Sequence, residues 1–309
     1  MDTEIFELIE KIREHINRTE KMAVLLADRS KWLPLTSALD VLEDSSCAVT
    51  YYIESDFPDN VKGKYLFIYG LIQAMFLQMD AANSIQTALT DSKIDFERDY
   101  PDAYRIREMR NDVVGHPTNR RTNQSIYLVQ ISLNKNGFDY IKESSAGTDK
   151  GESISVSVIK AIEEVNSCIK SVLEQTIAVL DEEFTKYINL HRGRKMKEIF
   201  IGLNYAREKA FENSSFSDYG YKAAKEMAKK CENEVIQRYG SLEAFDSYNF
   251  LLKEIYEICD LIDNGLPRMP IELQNGSKKY FLECLFSKLE ELENYAEETD
   301  QYFETYGKN

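Results

Sequence analysis

Apolar residues recur at helical spacing along most of this chain, which favours a mainly helical fold. One predicted helix, at about 62–90, is apolar nearly all round in its first half, as in a central helix of a bundle. The most apolar part, Tyr65 to Met79, is interrupted by Gln73 and Gln78 and is too short to span a membrane. We therefore predict a buried core helix, no membrane segment and no membrane partner.

The same periodicity predicts helices on both sides of this one. They cover 3–28, 35–54, 101–114 and 158–190, followed by 196–212, 219–238, 242–264 and a last helix from 277. Residues 125–133 and 138–142 are rich in Ile, Val, Leu, Phe and Tyr on either side of the turn 134–137, which predicts a β-hairpin. After the polar loop 144–152, apolar residues alternate with serines at 154–158 and predict a third short strand. The predicted fold class is mainly α: a helical bundle with a small inserted β-hairpin, and a C-terminal helical region.

The segment 191–195 is the best candidate for a domain boundary, because it combines a glycine with a short basic run. We predict a bundle domain at 1–192, carrying the hairpin at about 124–158, and a C-terminal helical domain at 193–309. His191 could contact phosphate, but a basic cluster at a helix end is the simpler interpretation of this segment.

A heptad-like apolar stripe marks the last predicted helix, and acidic residues occupy its other side. The stripe consists of residues 282, 285, 289, 292, 296 and 303. The simpler interpretation is a core stripe with a solvated acidic face. The alternative is a surface through which the C-terminal helices bind a regulatory protein.

The scattered cysteines and the absence of cofactor motifs exclude several classes of site. The five cysteines include no CxxC pair, which predicts reduced thiols in a cytoplasmic protein and no structural zinc. The sequence has no P-loop, no GxGxxG and no GxSxG motif. We therefore predict neither a metal nor a cofactor.

Charge argues against a protein that coats nucleic acid nonspecifically, because the formal net charge is -15. A local basic segment stands out against this background. Between Arg105 and Arg121 the chain carries five arginines and two acidic residues. Since the local charge sets the field in a cleft, this segment can still bind an anion.

One stretch, Arg107 to Thr118, gathers residues suited to phosphate chemistry. Helical spacing places Arg110 near the end of a helix, and Gly115 suits the left-handed position that follows a helix end. Pro117 moves His116 out of the helical region, so the chain can return and place the imidazole beside the guanidinium. An ordinary helix stop, with basic residues that complement the helix dipole, explains the same residues without any function.

Arg110 is followed by Asn111, and five residues separate Arg110 from His116. This pattern resembles the motif of HEPN domains, in which four to six residues separate an Arg from a His. In that family Asn, Asp or His commonly follows the Arg, and the motif lies near a helix end in a small antiparallel bundle. The resemblance covers about 1–190, whereas 191–309 match nothing that we can name. It implies an HEPN-like bundle and a metal-independent endoribonuclease, commonly a homodimer with a composite active site.

The resemblance also implies a biological setting. Many HEPN proteins are toxins of toxin–antitoxin systems or effectors of anti-phage defence, so RNA is the implied substrate and an antitoxin is an implied partner of the C-terminal helices. Some HEPN proteins are noncatalytic. The alternative function is therefore a helical module that binds RNA, a nucleotide or a protein partner.

RNA carries its own nucleophile, the 2′-OH, so its cleavage needs a proton shuttle and a cation for the phosphorane charge. Imidazole is suited to the first task and guanidinium to the second. Asn111 or Asp112 could orient the imidazole or bind the phosphate or ribose, and Asp112 could equally pair with Arg110 or Arg107. The implied site consists of catalytic Arg110 and His116, supporting Asn111 and Asp112, and RNA-binding Arg107, Arg120 and Arg121.

Overall fold

The structure is a computed structural model that describes residues 3–115, 124–144, 151–212, 217–243, 245–264 and 271–306. The described chain is mainly helical and contains one three-stranded antiparallel sheet, as the periodicity predicted. It divides into two compact units. Unit 1 comprises residues 1–16 and 28–181, and unit 2 comprises residues 17–27 and 182–309.

The elements of the two units follow in chain order. The helices are α1 (Thr3–Ile16), α2 (Thr19–Ala27), α3 (Arg29–Glu54), α4 (Val61–Thr90), α5 (Phe96–Asp99), α6 (Pro101–Arg110), α7 (Val158–Arg192), α8 (Leu203–Phe211), α9 (Ser217–Tyr239), α10 (Asp246–Asn264) and α11 (Ile271–Thr305). The strands are β1 (Gln124–Leu128), β2 (Gly137–Ser144) and β3 (Glu152–Ser157). A π-helical turn (Asn111–Gly115) follows α6, and short 3-10 turns occupy Gln130–Ser132 and Met196–Phe200.

The core of unit 1 is built on α4, which packs along α3. One face of α4 is buried, including Ile68, Ile72 and Met79. Among the described residues α4 is the one helix long and apolar enough to cross a membrane by length and composition, and 50% of its most apolar window is buried inside the protein. This burial agrees with the predicted core helix.

The N-terminal prediction of one helix over 3–28 was wrong. The chain forms α1 and α2, separated by Asn17 and Arg18, and the two helices belong to different units. The buried stripe of α1 ends at Ile16, and asparagine is a weak helix former, so little favours a continuous helix at this point. The next helix begins at Arg29, earlier than predicted, because the Asp28 side chain caps it by accepting from the Ser30 N–H.

The predicted hairpin and third strand are confirmed. The sheet has the order β1-β2-β3, and every neighbouring pair is antiparallel. A bridge between Asn134 and Gly137 closes the turn between the first two strands. Lys142 of β2 lies opposite Ile126 of β1, a register that becomes relevant to the candidate site.

The core of unit 2 is built on α11, whose stripe is buried at every predicted position. The buried residues are Leu282, Leu285, Leu289, Leu292, Ala296 and Phe303. On the acidic side, Glu290 accepts from Arg207 at 2.6 Å and Glu297 from Lys197 at 2.7 Å. The interpretation of the stripe as core is confirmed, so a protein partner of α11 would have to use another face.

The predicted domain boundary at 192–193 coincides with the end of α7, whereas the two units divide inside this helix, between residues 181 and 182. His191 lies 3% exposed against the rings of Tyr187 and Phe303. Burial, followed by the charge of Arg238, lowers the pKa of this imidazole. The side chain is therefore a neutral core residue and does not belong to an exposed basic cluster.

Candidate functional site around Arg110

Helix α6 presents two arginines to one face of α4. Its residues Ala103, Ile106 and Met109 are buried and fix the helix against the core. Arg107 and Arg110 are three residues apart and therefore project from neighbouring positions on the helix surface. Both guanidinium groups lie over the ring of Phe76 of α4, at 4.6 and 4.1 Å from its centroid.

The guanidinium of Arg110 is held by neutral groups. Its Nε donates to Oε1 of Gln73 at 3.0 Å, and its Nη1 donates to Oδ1 of Asn111 at 3.2 Å. Together with the face of Phe76, these contacts fix the plane of the group. Within the described ranges, Arg110 makes no ion pair with a carboxylate.

Arg107 differs in its electrostatic environment. Its Nη1 donates to Oδ1 of Asp80 at 2.6 Å, and its guanidinium lies between the rings of Phe76 and Phe96. The carboxylate of Asp80 forms an ion pair with this guanidinium and opposes its positive charge. Of the two arginines, Arg110 is thus the one whose positive charge remains available to an anionic ligand.

Asn111 and Asp112 lie in the π-helical turn and have different contacts. Asn111 contacts Arg110, whereas Asp112 is buried and pairs with Nζ of Lys142 on β2 at 2.5 Å. Neither of the alternatives weighed for Asp112, a pair with Arg110 or with Arg107, is formed. Its carboxylate connects the end of the arginine helix to the sheet.

Gly115 does not adopt the left-handed conformation that the sequence predicted. It is the last residue of the π-helical turn, and its φ lies outside the left-handed region, so that prediction was wrong. The absence of a side chain at Gly115 instead leaves room for the Arg110 guanidinium. A Cβ at this position would lie 3.1 Å from Nη1 of Arg110, so a larger residue would crowd the guanidinium.

Three residues of the implied site, His116, Arg120 and Arg121, lie outside the described residues. Of the implied site residues, the structure thus positions Arg107, Arg110, Asn111 and Asp112.

Three polar residues of the apolar helix α4 have different partners, and the sequence did not assign any of them to this site. Gln73 and Asp80, polar residues in an apolar helix, contact the two arginines. Gln78 is directed elsewhere, because its Nε2 donates to Ser46 in the core at 3.0 Å. Phe76 and Lys142 were missed. The one sequence signal for Phe76 is its helical spacing from Gln73 and Asp80, which places the ring near both residues on α4. Nothing in the sequence pairs Lys142 with Asp112.

The described residues offer no metal site, and two of the buried thiols are poorly reactive. They contain no group of three or more His, Cys, Asp or Glu side chains that could hold a metal ion. All five cysteines are free. Burial raises the pKa of the Cys168 and Cys231 thiols to about 12, which keeps both protonated and poorly nucleophilic near neutral pH.

Comparisons with known proteins give no relative for this chain. No protein-family model matches it, and no curated protein and no solved structure matches it either.

Proposed function

We propose that this protein is a metal-independent endoribonuclease of the HEPN type. The observation that carries the proposal is the environment of Arg110, whose guanidinium is fixed by an aromatic ring and two amide oxygens and keeps its charge uncompensated among the described residues. A pre-positioned cation of this kind stabilises negative charge that develops on a phosphate during reaction. The HEPN-like motif adds His116 six positions further along the chain.

In the proposed reaction the 2′-oxygen of a ribose attacks the adjacent phosphorus, and the bond from phosphorus to the 5′-oxygen breaks. His116 takes the proton of the 2′-OH as general base and returns a proton to the 5′-oxygen as general acid. Arg110 donates hydrogen bonds to the non-bridging oxygens, where the phosphorane charge develops. The products are a 2′,3′-cyclic phosphate and a 5′-hydroxyl, with no water consumed and no cofactor used.

Supporting roles follow from the contacts around Arg110. Asn111 orients the guanidinium, and Asp112 fixes the turn through Lys142. Arg107 is already paired with Asp80, so it attracts the RNA backbone less strongly than Arg110 does. Arg120 and Arg121 would bind further phosphates, an assignment that depends on sequence alone.

A homodimer with a composite site is part of the proposal, and the exposed face of α4 supports it. Leu66, Tyr69 and Leu77 are exposed large apolar residues. With a helical period of 3.6 residues they share one face with Gln73, the partner of Arg110. A second copy of the chain that covers this face would approach the Arg110 site.

The setting proposed for this activity is a cytoplasmic toxin or an effector of anti-phage defence. Uncontrolled cleavage of cellular RNA would harm the cell that makes the enzyme, so an antitoxin or other regulatory protein that binds the C-terminal helices completes the proposal. Overexpression should inhibit growth, and His116→Ala should abolish the inhibition.

The decisive experiment incubates the purified full-length protein with mixed cellular RNA in EDTA. We expect cleavage that leaves 2′,3′-cyclic phosphate ends, because neither residue of the mechanism needs a metal. Arg110→Ala and His116→Ala should each lower the rate by roughly a hundredfold or more. Arg105→Ala is the matched control, since Arg105 is an exposed arginine of the same helix that pairs with Asp102.

Cleavage that survives both Arg110→Ala and His116→Ala would refute this site. If the wild-type protein binds RNA without cutting it, and Arg110→Ala weakens that binding, the noncatalytic RNA-binding module is the correct reading. A protein that neither binds nor cuts RNA would refute both.

A further inference from the structure

Unit 2 contains a pocket that the proposed ribonuclease mechanism does not use. Its volume is about 510 Å³, within the usual range for small-molecule sites. The walls come from the region where α2 begins, the end of α9, the start of α10 and the C-terminal half of α11.

Aromatic rings form a nearly continuous row along this pocket. Ring centroids are 4.9 Å apart for Tyr239 and Phe245, 5.4 Å for Phe245 and Tyr248, and 6.1 Å for Tyr248 and Tyr295. The Tyr248 hydroxyl is hydrogen-bonded to Oγ1 of Thr299 at 2.8 Å, which fixes its ring. A fifth aromatic residue, Tyr302, also lines the pocket and remains 48% exposed.

Two carboxylates, Glu20 and Glu298, also line the pocket. Glu298 is exposed, whereas Oε1 of Glu20 is buried and has no hydrogen-bond partner in the part of the chain that the structure describes. Burial is the largest effect on the Glu20 carboxyl and raises its pKa. The backbone N–H of Glu20 and the charge of Arg18 act in the opposite direction and lower this pKa. A carboxylate oxygen that is buried without a hydrogen-bond partner is nevertheless destabilising, and a cation beside it would offset that loss.

The basic residue of the lining does not reverse this charge balance. Arg18 lines the pocket, but its guanidinium lies 3.7 Å above the ring of Phe184, which is not a lining residue. The whole chain carries a net charge of -15. Phosphate-bearing ligands are therefore disfavoured, whereas tyrosine faces and carboxylates both attract cations.

We propose that this pocket binds a small organic cation with an alkylated ammonium group, held against the tyrosine rings beside Glu20. Alkyl substituents on the nitrogen would pack against the aromatic walls, and the positive charge would be attracted by the tyrosine faces and the carboxylates. This proposal is independent of the ribonuclease activity, since it involves no residue of the Arg110 site.

The first test is calorimetric titration of the full-length protein with choline and with its uncharged analogue, in which carbon replaces the quaternary nitrogen. The two probes have nearly the same shape, so the comparison isolates the charge. We expect choline to bind roughly tenfold more tightly than the analogue, in line with the strength of desolvated cation–π contacts.

Substitutions then locate the site. Tyr302→Leu removes an exposed ring and Glu20→Gln removes the buried charge, so each should weaken choline binding roughly threefold to thirtyfold. Glu291→Gln, on α11 but outside the pocket, is the matched control and should leave the affinity unchanged. Arg110→Ala should also leave it unchanged.

Equal binding of choline and its analogue would overturn the proposal, as would the absence of choline binding. An equal loss of affinity in Glu291→Gln would indicate nonspecific attraction to an acidic protein and would also overturn it. Adenosine serves as a third probe. If adenosine binds and choline does not, the pocket is a site for planar bases and the proposed ligand class is wrong.

Discussion

At the scale of single residues, the contrast between Arg107 and Arg110 is the central observation. Both guanidinium groups share the ring of Phe76, yet one pairs with a carboxylate and the other with amide oxygens. An amide oxygen orients a guanidinium without compensating its charge. The choice of Gln rather than Glu at position 73 therefore decides whether Arg110 can serve an anionic substrate.

We predict that Gln73→Glu inactivates the proposed ribonuclease while the fold is preserved. The new carboxylate would lie at hydrogen-bond distance from Nε of Arg110 and compete with the RNA phosphate for its charge. Cleavage should fall roughly tenfold or more, with an unchanged circular dichroism spectrum.

Gln86→Glu provides the control for this substitution. It adds the same charge to the same helix, about 20 Å further along the axis by helical rise. Its cleavage rate should stay near that of the wild type. If both variants lose activity equally, general repulsion of RNA would explain the loss and the specific role of Gln73 would be refuted.

At the scale of elements, α8 and α9 show how small residues set a close helix packing. Gly220 of α9 contacts the backbone of α8 so closely that a Cβ there would overlap Ala206 and Ala210. Ala224 and Ala228 follow at helical spacing and are fully buried. The two helices can approach this closely only because side-chain volume is absent at the contact.

Gly220→Ala should therefore destabilise unit 2 by about 1–3 kcal/mol, measured by urea unfolding. A loss of stability would be informative, because replacing glycine by alanine in an ordinary helix interior stabilises a protein by roughly 0.5–1 kcal/mol. Gly70→Ala, in the interior of α4, is the matched helical change at a position where an added Cβ meets nothing within 4 Å. A gain in stability for Gly220→Ala would contradict the packing described here.

At the scale of the whole molecule, charge and association decide whether the Arg110 site can act on RNA. A protein with a net charge of -15 repels RNA at long range, so binding has to arise locally and should weaken steeply with added salt. A second copy that covers the exposed face of α4 would bring a second basic segment close to the first.

We predict that Leu66→Lys weakens self-association and lowers RNA cleavage in parallel. The side chain is 72% exposed, so the substitution leaves the core intact and places a charge in the proposed dimer surface. Analytical ultracentrifugation should show at least roughly a tenfold increase in the dissociation constant.

Ile131→Lys is the corresponding change at another exposed apolar residue of unit 1, which is 95% exposed and lies in a 3-10 turn away from α4. It should leave both association and cleavage unchanged. A wild-type protein that is monomeric at the concentrations at which it cleaves RNA would refute the composite site.

Most of the elements could be predicted from the sequence, because each depends on local periodicity. The core helix α4, the stripe of α11 and the hairpin around Asn134–Gly137 were all predicted and are all formed. The break after Ile16 was missed, because apolar residues continue beyond it and belong to another unit. Where a helix ends depends on which core the following apolar residues join, and apolar periodicity does not indicate that.

The helical class of this protein and the position of Arg110 near a helix end follow from the sequence, since spacing and propensity are local properties. The pairs of Arg107 with Asp80, of Arg110 with Gln73 and of Asp112 with Lys142 follow only from the packing of the elements. These pairs join residues up to 37 positions apart, and their formation depends on how α4, α6 and the sheet pack. The charge available at the site is therefore a property of the packed elements, because it is set by neighbours that the chain order does not specify.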